Sequence, residues 1–209
     1  MLFQLLFVTL FIVCCQSEST VWVENTSNGD RKPWQSITSS ADGTKLAAVA
    51  EFKILPGYKY GDSKGGGIWT STNSGVSWTE VTSIGAAKSW LSITSSDDGT
   101  KLAAIGSRKI WTSTNSGVTW VERTASSADG TKQKWRSITS SADGTKLAAV
   151  TENQLPGDIT RNGVVDGAGY IFISENSGAS WILRTATGTP KKWQCITSSA
   201  DGTKLAAGV

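Results

Sequence analysis

"SWLSITSSDDGTKLAAI", Ser89 to Ile105, writes a strand, a turn and a second strand in one line. Its opening alternates apolar and polar side chains, as a strand buried on one face does. Asp98 and Gly99 make a tight turn, with the glycine supplying the positive φ such turns require, and the apolar run Leu102 to Ile105 follows. Close copies begin at Trp34, Trp135 and Trp193, so the four starts lie 56, 45 and 58 residues apart. That period suits propeller blades, not a solenoid of short coils.

A second hairpin follows in three of the copies: "IWTSTNSGVSWTEV" from Ile68, "IWTSTNSGVTWVERT" from Ile110 and "IFISENSGASWILRT" from Ile171. Ser71, Asn73, Gly75 and Trp78 recur as Ser113, Asn115, Gly117 and Trp120, then as Ser174, Asn176, Gly178 and Trp181. Asn bonds the backbone of its own turn, Gly admits a left-handed residue, and Trp folds over the hairpin as a lid. Two hairpins give four strands per unit, the content of one propeller blade.

This turn resembles the Asp-box (BNR) motif Ser-x-Asp-x-Gly-x-Thr-Trp, with Asn at each Asp position. The resemblance covers nearly all of the chain after its first residues. Families with the box include sialidases, xyloglucan-cleaving glycosidases, sortilin-type receptors and photosystem II stability/assembly factors, and "SITSSADGTKLAAV" is nearest in wording to the last. In those families the box is a structural turn away from the ligand face. The resemblance therefore assigns the twelve box residues above a structural role.

The predicted fold class is all-β, a β-propeller of four-stranded antiparallel blades. Blades are expected at residues 34–82, 90–124 and 135–185, with an incomplete blade at 193–209 and a lone last strand at 20–26 around Trp22. Three architectures stay open: a ring of about four blades, in which the lone strand completes the final one; a partial ring closed by self-association; and a piece of a larger propeller.

The unequal intervals come mainly from one connection, between the second and third strands. It holds 18 residues after Val49 and 20 after Val150, but only "GSRK" after Ile105. Insertions of that length in a compact fold are usually functional. In a propeller they emerge on the face that also carries the links between blades. Those links hold Arg31, Lys32, Lys88, Arg123, Lys132, Lys134, Arg184, Lys191 and Lys192 against Asp30 and Asp129, while the whole chain nets only +3. A basic face would attract acidic ligands. Lys32, Lys88, Lys134 and Lys192 precede Trp34, Trp90, Trp135 and Trp193, and with Tyr58 and Tyr60 these are the candidate ligand-binding residues. The tryptophans equally suit packing between blades.

Enzymatic readings find little support. Glycosidases need a pair of carboxylates at a set separation; Glu51, Asp62, Glu152, Asp158 and Asp166 lie in glycine-rich insertions with no motif to pair them. Histidine is absent from the whole chain, which excludes Cys–His and Ser–His nucleophile pairs and histidine-bound zinc. No catalytic residue, metal site or cofactor is assigned. The expected function is a secreted, non-enzymatic binding or scaffolding propeller for a protein or an acidic glycan. The alternatives are a carbohydrate-active hydrolase, sialidase- or xyloglucanase-like, and a photosystem II assembly factor-like protein of the thylakoid lumen.

No Lys/Arg run exceeds two residues, so nucleic acid is not an expected partner. "MLFQLLFVTLFIVCCQS" is uncharged and apolar, reads as a signal peptide over 1–17, and is short for a membrane span. Its removal would leave Cys195 as the one thiol, at the place of Ser36, Ser92 and Ser137.

Overall fold

A computed structural model of the protein describes residues 32–51, 66–85, 88–106, 108–123, 133–151, 169–184 and 191–209, with two short strands nearer the start. Those two are β1 (Phe11–Ile12) and β2 (Val23–Glu24), which pair with each other. Tyr58, Tyr60, most of residues 1–31 and both insertions lie outside the described residues.

Three four-stranded antiparallel sheets follow in chain order. The first holds β3 (Trp34–Ser39), β4 (Leu46–Ala50), β5 (Ile68–Ser71) and β6 (Thr79–Glu80). The second holds β7 (Trp90–Ser95), β8 (Leu102–Gly106), β9 (Lys109–Ser113) and β10 (Val121–Arg123). The third holds β11 (Trp135–Ser140), β12 (Leu147–Thr151), β13 (Ile171–Ser174) and β14 (Ile182–Arg184). Each is a simple meander, and a two-stranded fourth unit closes the series with β15 (Cys195–Ser198) and β16 (Leu205–Gly208). Of the stretch expected to hold a lone last strand, β2 is described and pairs with β1, while β15 and β16 pair with each other.

The sheets stack face on face, with β3 against β7, β7 against β11 and β11 against β15. This explains why the second strand reads as an unbroken apolar run. All five residues of β8 and of β12 are buried, because each sheet is covered on both sides. Between the first and second sheets Ala47, Val49 and Ile68 meet Trp90, Ile93, Leu102 and Ala104. One junction along, Ala103, Ile105 and Ile110 meet Trp135, Ile138, Leu147, Ala149 and Phe172. Alanine is a weak strand former, but its size lets two sheets approach closely at native packing density.

Each turn is closed by its own side chains. In the first hairpin of the second blade, Asp98 accepts from Ser96 Oγ at 2.6 Å, from the Thr100 amide at 2.9 Å and from Thr100 Oγ1 at 2.7 Å. In the second hairpin, Asn115 Oδ1 accepts from Ser113 Oγ at 3.0 Å and the Thr119 amide at 2.9 Å, and Nδ2 donates to Thr119 Oγ1 at 2.9 Å. The amide uses both of its ends, which accounts for Asn where a carboxylate could only accept. The lid bond forms in two of the three turns, with Trp120 Nε1 donating to the Gly117 carbonyl at 2.9 Å and Trp181 Nε1 to that of Gly178 at 3.1 Å, while Trp78 Nε1 is buried without a hydrogen-bond partner. Ser74, Ser116 and Ser177 carry φ of 56°, 54° and 53°, each just before the turn glycine.

The Ser hydrogen bond, followed by those from the Thr amide and hydroxyl, holds Asp42, Asp98 and Asp201 at a pKa of about 2, below the ordinary 3.8. Asp143 is lowered in the same way, by Ser141 and then Thr145. A carboxyl depressed by folding stabilises the native state above its unfolded pKa, and that contribution disappears as pH falls through the native value. Acidification from about pH 4 to about pH 2 should therefore lower the melting temperature steeply, as followed by tryptophan fluorescence. A variant with Asn at positions 42, 98, 143 and 201 should show a flatter profile over that window. Separately, Asn115→Ala should cost about 1 kcal/mol in urea unfolding, and Asn115→Asp clearly less.

Candidate ligand-binding rim

The sheets have two rims, and hydrogen bonds among the described residues place the turns on one and the ends of the longer connections on the other. On the first rim the two kinds of hairpin turn meet: the amides of Ser74, Ser116 and Ser177 donate to the carbonyls of Thr44, Thr100 and Thr145 at 2.9, 2.8 and 2.8 Å. On the second rim lie the links between blades and the ends of both insertions. The Glu51 amide, where the first insertion leaves, donates to Pro33 O at 2.9 Å, and Gly66, where it returns, accepts from the Lys88 amide at 3.0 Å. The second insertion returns at Gly169, whose amide donates to Lys191 O at 3.0 Å. Both insertions therefore spring from the rim that carries the basic links.

Two of the candidate lysines on this rim lie over indole faces, but not those of their sequence neighbours. Lys32 Nζ is 4.6 Å from the centroid of Trp69, and Lys88 Nζ is 5.1 Å from that of Trp111 while donating to Ile84 O at 2.6 Å. The paired rings come from the third strand, and each stands edge-on to the tryptophan that opens the first: Trp34 with Trp69 and Trp90 with Trp111, both at 6.4 Å. In the third blade Phe172 takes the indole's place, 5.1 Å from Trp135.

Trp90, Trp135 and Trp193 themselves are 1, 3 and 8% exposed and fill the space between blades. Their faces are thus unavailable to a ligand, which corrects the expectation of a ring of stacked Lys–Trp pairs. A flat side chain at the mouth of a sheet is the cheapest way to seal it against water. Trp34 is only partly buried. Lys134 is half-buried and Lys191 and Lys192 are exposed.

Four residues that pattern reading passed over belong to this rim as well. Each of the first three inner strands is bulged just after its tryptophan, between Trp34 and Ser36, Trp90 and Ser92, and Trp135 and Ser137. A bulge releases one residue from the ladder and re-aims its side chain. The released residues are Gln35, Leu91 and Arg136, and Gln194 is their counterpart in the fourth unit. Gln35, Arg136 and Gln194 are exposed, with Gln35 Nε2 donating to Glu51 Oε2 at 3.0 Å and Arg136 Nε donating to Gln194 Oε1 at 3.0 Å across two blades. The signal was present: in WQSITSS, WLSITSS and WRSITSS this is the only position that changes.

A cavity of about 240 Å³ lies on the other rim, between Lys146–Ala148 and Ser198, Gly202 and Leu205. At the two earlier junctions the same place shrinks to about 10 Å³, lined in part by the turn serines Ser116 and Ser177 of the next blade. It is the seat of a second hairpin, not a ligand site.

Comparison with solved structures agrees with this geometry. A structure of YCF48 bound to D1 peptide aligns at a TM-score of 0.52 and 13% identity, over 85% of this chain and 50% of that one. A nidogen/laminin complex aligns at 0.58 and 13% identity, over 84% of this chain and 56% of that one. The fold is that of a β-propeller. A GH74 xyloglucanase from Xanthomonas campestris also aligns, at 0.51 and 14% identity, over 79% of this chain and 21% of that one. The chain thus spans about half the length of the first two propellers. No family model matches the sequence, and no curated protein does.

The two classes of aromatic residue should respond differently to truncation. Trp90→Ala should cost about 3–5 kcal/mol and leave little folded protein at 37 °C, because it opens a cavity between two sheets. Lys88→Met, which keeps the stem and removes the charge, should unfold within about 1 kcal/mol of the parent by urea titration.

Proposed function

We propose that this propeller is a secreted, non-enzymatic binding module of the Asp-box (BNR) type. It takes an acidic stretch of a partner protein on the rim that carries the insertions and the basic links. The observation that carries this reading is the placement of Lys32 and Lys88 over indole faces. A lysine seated on a ring holds its stem in place, so less side-chain entropy is lost when an acidic group arrives. Export rests on the apolar leader of residues 1–17, and the turn assignment on the Ser-x-Asn-x-Gly pattern and its closed hydrogen bonds. Two of the similar propellers are described with a peptide and with a protein partner.

Seven of the nine link cations are described, and four of them, Lys32, Lys88, Lys134 and Lys192, precede inner strands, while Glu51 is already bonded by Gln35 and Glu122 is paired with Lys109. The net field at the rim is positive and favours carboxylate-bearing ligands at low salt. Fluorescence anisotropy with a labelled poly-Glu peptide tests the reading. Binding should weaken as salt rises, and Lys32→Glu with Lys88→Glu should lower affinity about tenfold or more without changing the melting temperature. Equal binding of the double variant, or no binding by the parent, would remove the proposal. Tighter binding of an acidic oligosaccharide than of the peptide would move it to the glycan reading, and turnover of a glycoside panel would move it to the hydrolase.

A further inference from the structure

Among the described residues, four that are not glycine have left-handed backbone. Three of them, Ser74, Ser116 and Ser177, are the same step of the repeated Asn turn, where each amide is tied to a threonine carbonyl. The fourth is Arg108, at φ 64°, in the stretch GSRK that occurs only once in the chain. A side chain on left-handed backbone crowds the following carbonyl, so turns that need this conformation favour glycine, asparagine or aspartate. The chain keeps to that preference elsewhere, with Gly43, Gly99, Gly144 and Gly202 in the first hairpins and Gly66 and Gly85 near the link to the second blade.

Arg108 stands at the tip of the turn from β8 to β9, where Gly106 pairs with Lys109. This is the connection that carries an insertion in the first and third blades, so the turn lies on the second rim. It rests directly on the link from the first blade: a Cβ on Gly106 would lie 2.5 Å from Ser89 O and 3.0 Å from Trp90 Cα. Ser89 follows Lys88, whose ammonium lies over Trp111, and Trp111 belongs to β9, the strand that this turn opens. Arg108 is thereby held at the edge of the Lys88–Trp111 seat. It is exposed, and its side chain makes no hydrogen bond or ion pair among the described residues. Its neighbour Lys109 differs, being paired with Glu122 at 2.6 Å.

We infer that Arg108 is a ligand-contact residue of this rim, and that its guanidinium grips one carboxylate of the acidic stretch through two parallel N–H···O bonds. The inference rests on the acidic-ligand reading above and adds the group that fixes how the stretch lies. An ammonium such as that of Lys32 or Lys88 attracts a carboxylate from any direction, whereas the planar fork of arginine accepts it in one plane and one orientation. Strained backbone of this kind is characteristic of binding sites, where the surroundings hold it in place. Here the turn is held on one side by the contact of Gly106 with Ser89 and Trp90, and on the other by the Lys109–Glu122 pair. A residue needed only to form the turn would be asparagine or glycine.

The test sets binding against stability in the full chain, using anisotropy of a labelled poly-Glu peptide at low salt and thermal unfolding followed by tryptophan fluorescence. Arg108→Asn should weaken binding about fivefold while raising the melting temperature by about 1–3 °C, because asparagine accepts the left-handed conformation more readily. Arg108→Lys, which keeps the charge and loses the fork, should still bind about threefold more weakly than the parent. Lys204→Asn removes the same charge from the opposite rim and should change affinity less than about twofold. Parent-like binding by Arg108→Asn or by Arg108→Lys overturns the inference and leaves the acidic-ligand reading standing. An equal loss in Lys204→Asn reduces the effect to bulk charge, and a lowered melting temperature in Arg108→Asn makes the residue part of the fold; either result overturns it too. Failure of the parent itself to bind the peptide removes the acidic-ligand reading, and this inference with it.

Discussion

Every junction in this arc depends on one close approach: the Asp-Gly turn of a blade lands on the stem of the lysine of the blade before it. At Gly99 a methyl group would come within 2.8 Å of Lys45 Cδ and 3.2 Å of Ser40 Cβ, and Gly144 and Gly202 stand in the same relation to Lys101 and Lys146. Backbone must reach side chain there with nothing between them. Once it does, the turn amide, the lysine ammonium and the serine hydroxyl all find partners in the neighbouring blade, and the apolar faces are drawn to contact. The side-chain bonds that set the aspartates at low pKa shape the same turn, so local electrostatics and blade stacking are one device.

That dependence explains why the repeat is so nearly constant. In "SITSSADGTKLAA" the second serine of each SS pair orders the turn, the aspartate closes it, the glycine clears the approach, the lysine bridges and the alanines set the spacing. A change at any of these would misplace two blades, not one. Divergence is found instead at the bulged residue of the inner strand, at the third-strand aromatic and in the length of the second connection.

The blade architecture was therefore legible in the chain, because periodicity and turn chemistry are local and are written several times over. Legible too was the closed Asn turn with its tryptophan lid. The rim was harder. Trp90 and Trp135 look like ligand platforms in a list of aromatics beside lysines, yet they sit on the face turned toward the previous blade, and only the three-dimensional stack shows that Val49 and Ile68 cover the first of them. The partner of Lys88 is instead Trp111, two strands away, which strand pairing brings near and sequence distance hides. Residues Gln35, Leu91, Arg136 and Gln194 were concealed for a different reason: a strand read as strictly alternating has no place for a residue that belongs to neither face.

The bulge also separates two demands that would otherwise compete. A binding surface needs different chemistry at equivalent points, whereas a stack of sheets needs the same chemistry at every junction. Placing the variable residue where the ladder skips one step lets an amide, an aliphatic and a guanidinium occupy equivalent positions without altering the Ser36–Val49, Ser92–Ile105 or Ser137–Val150 pairs beside them. The fourth unit is the exception that shows the coupling. There the cross-strand pair itself has changed, to Cys195 and Gly208.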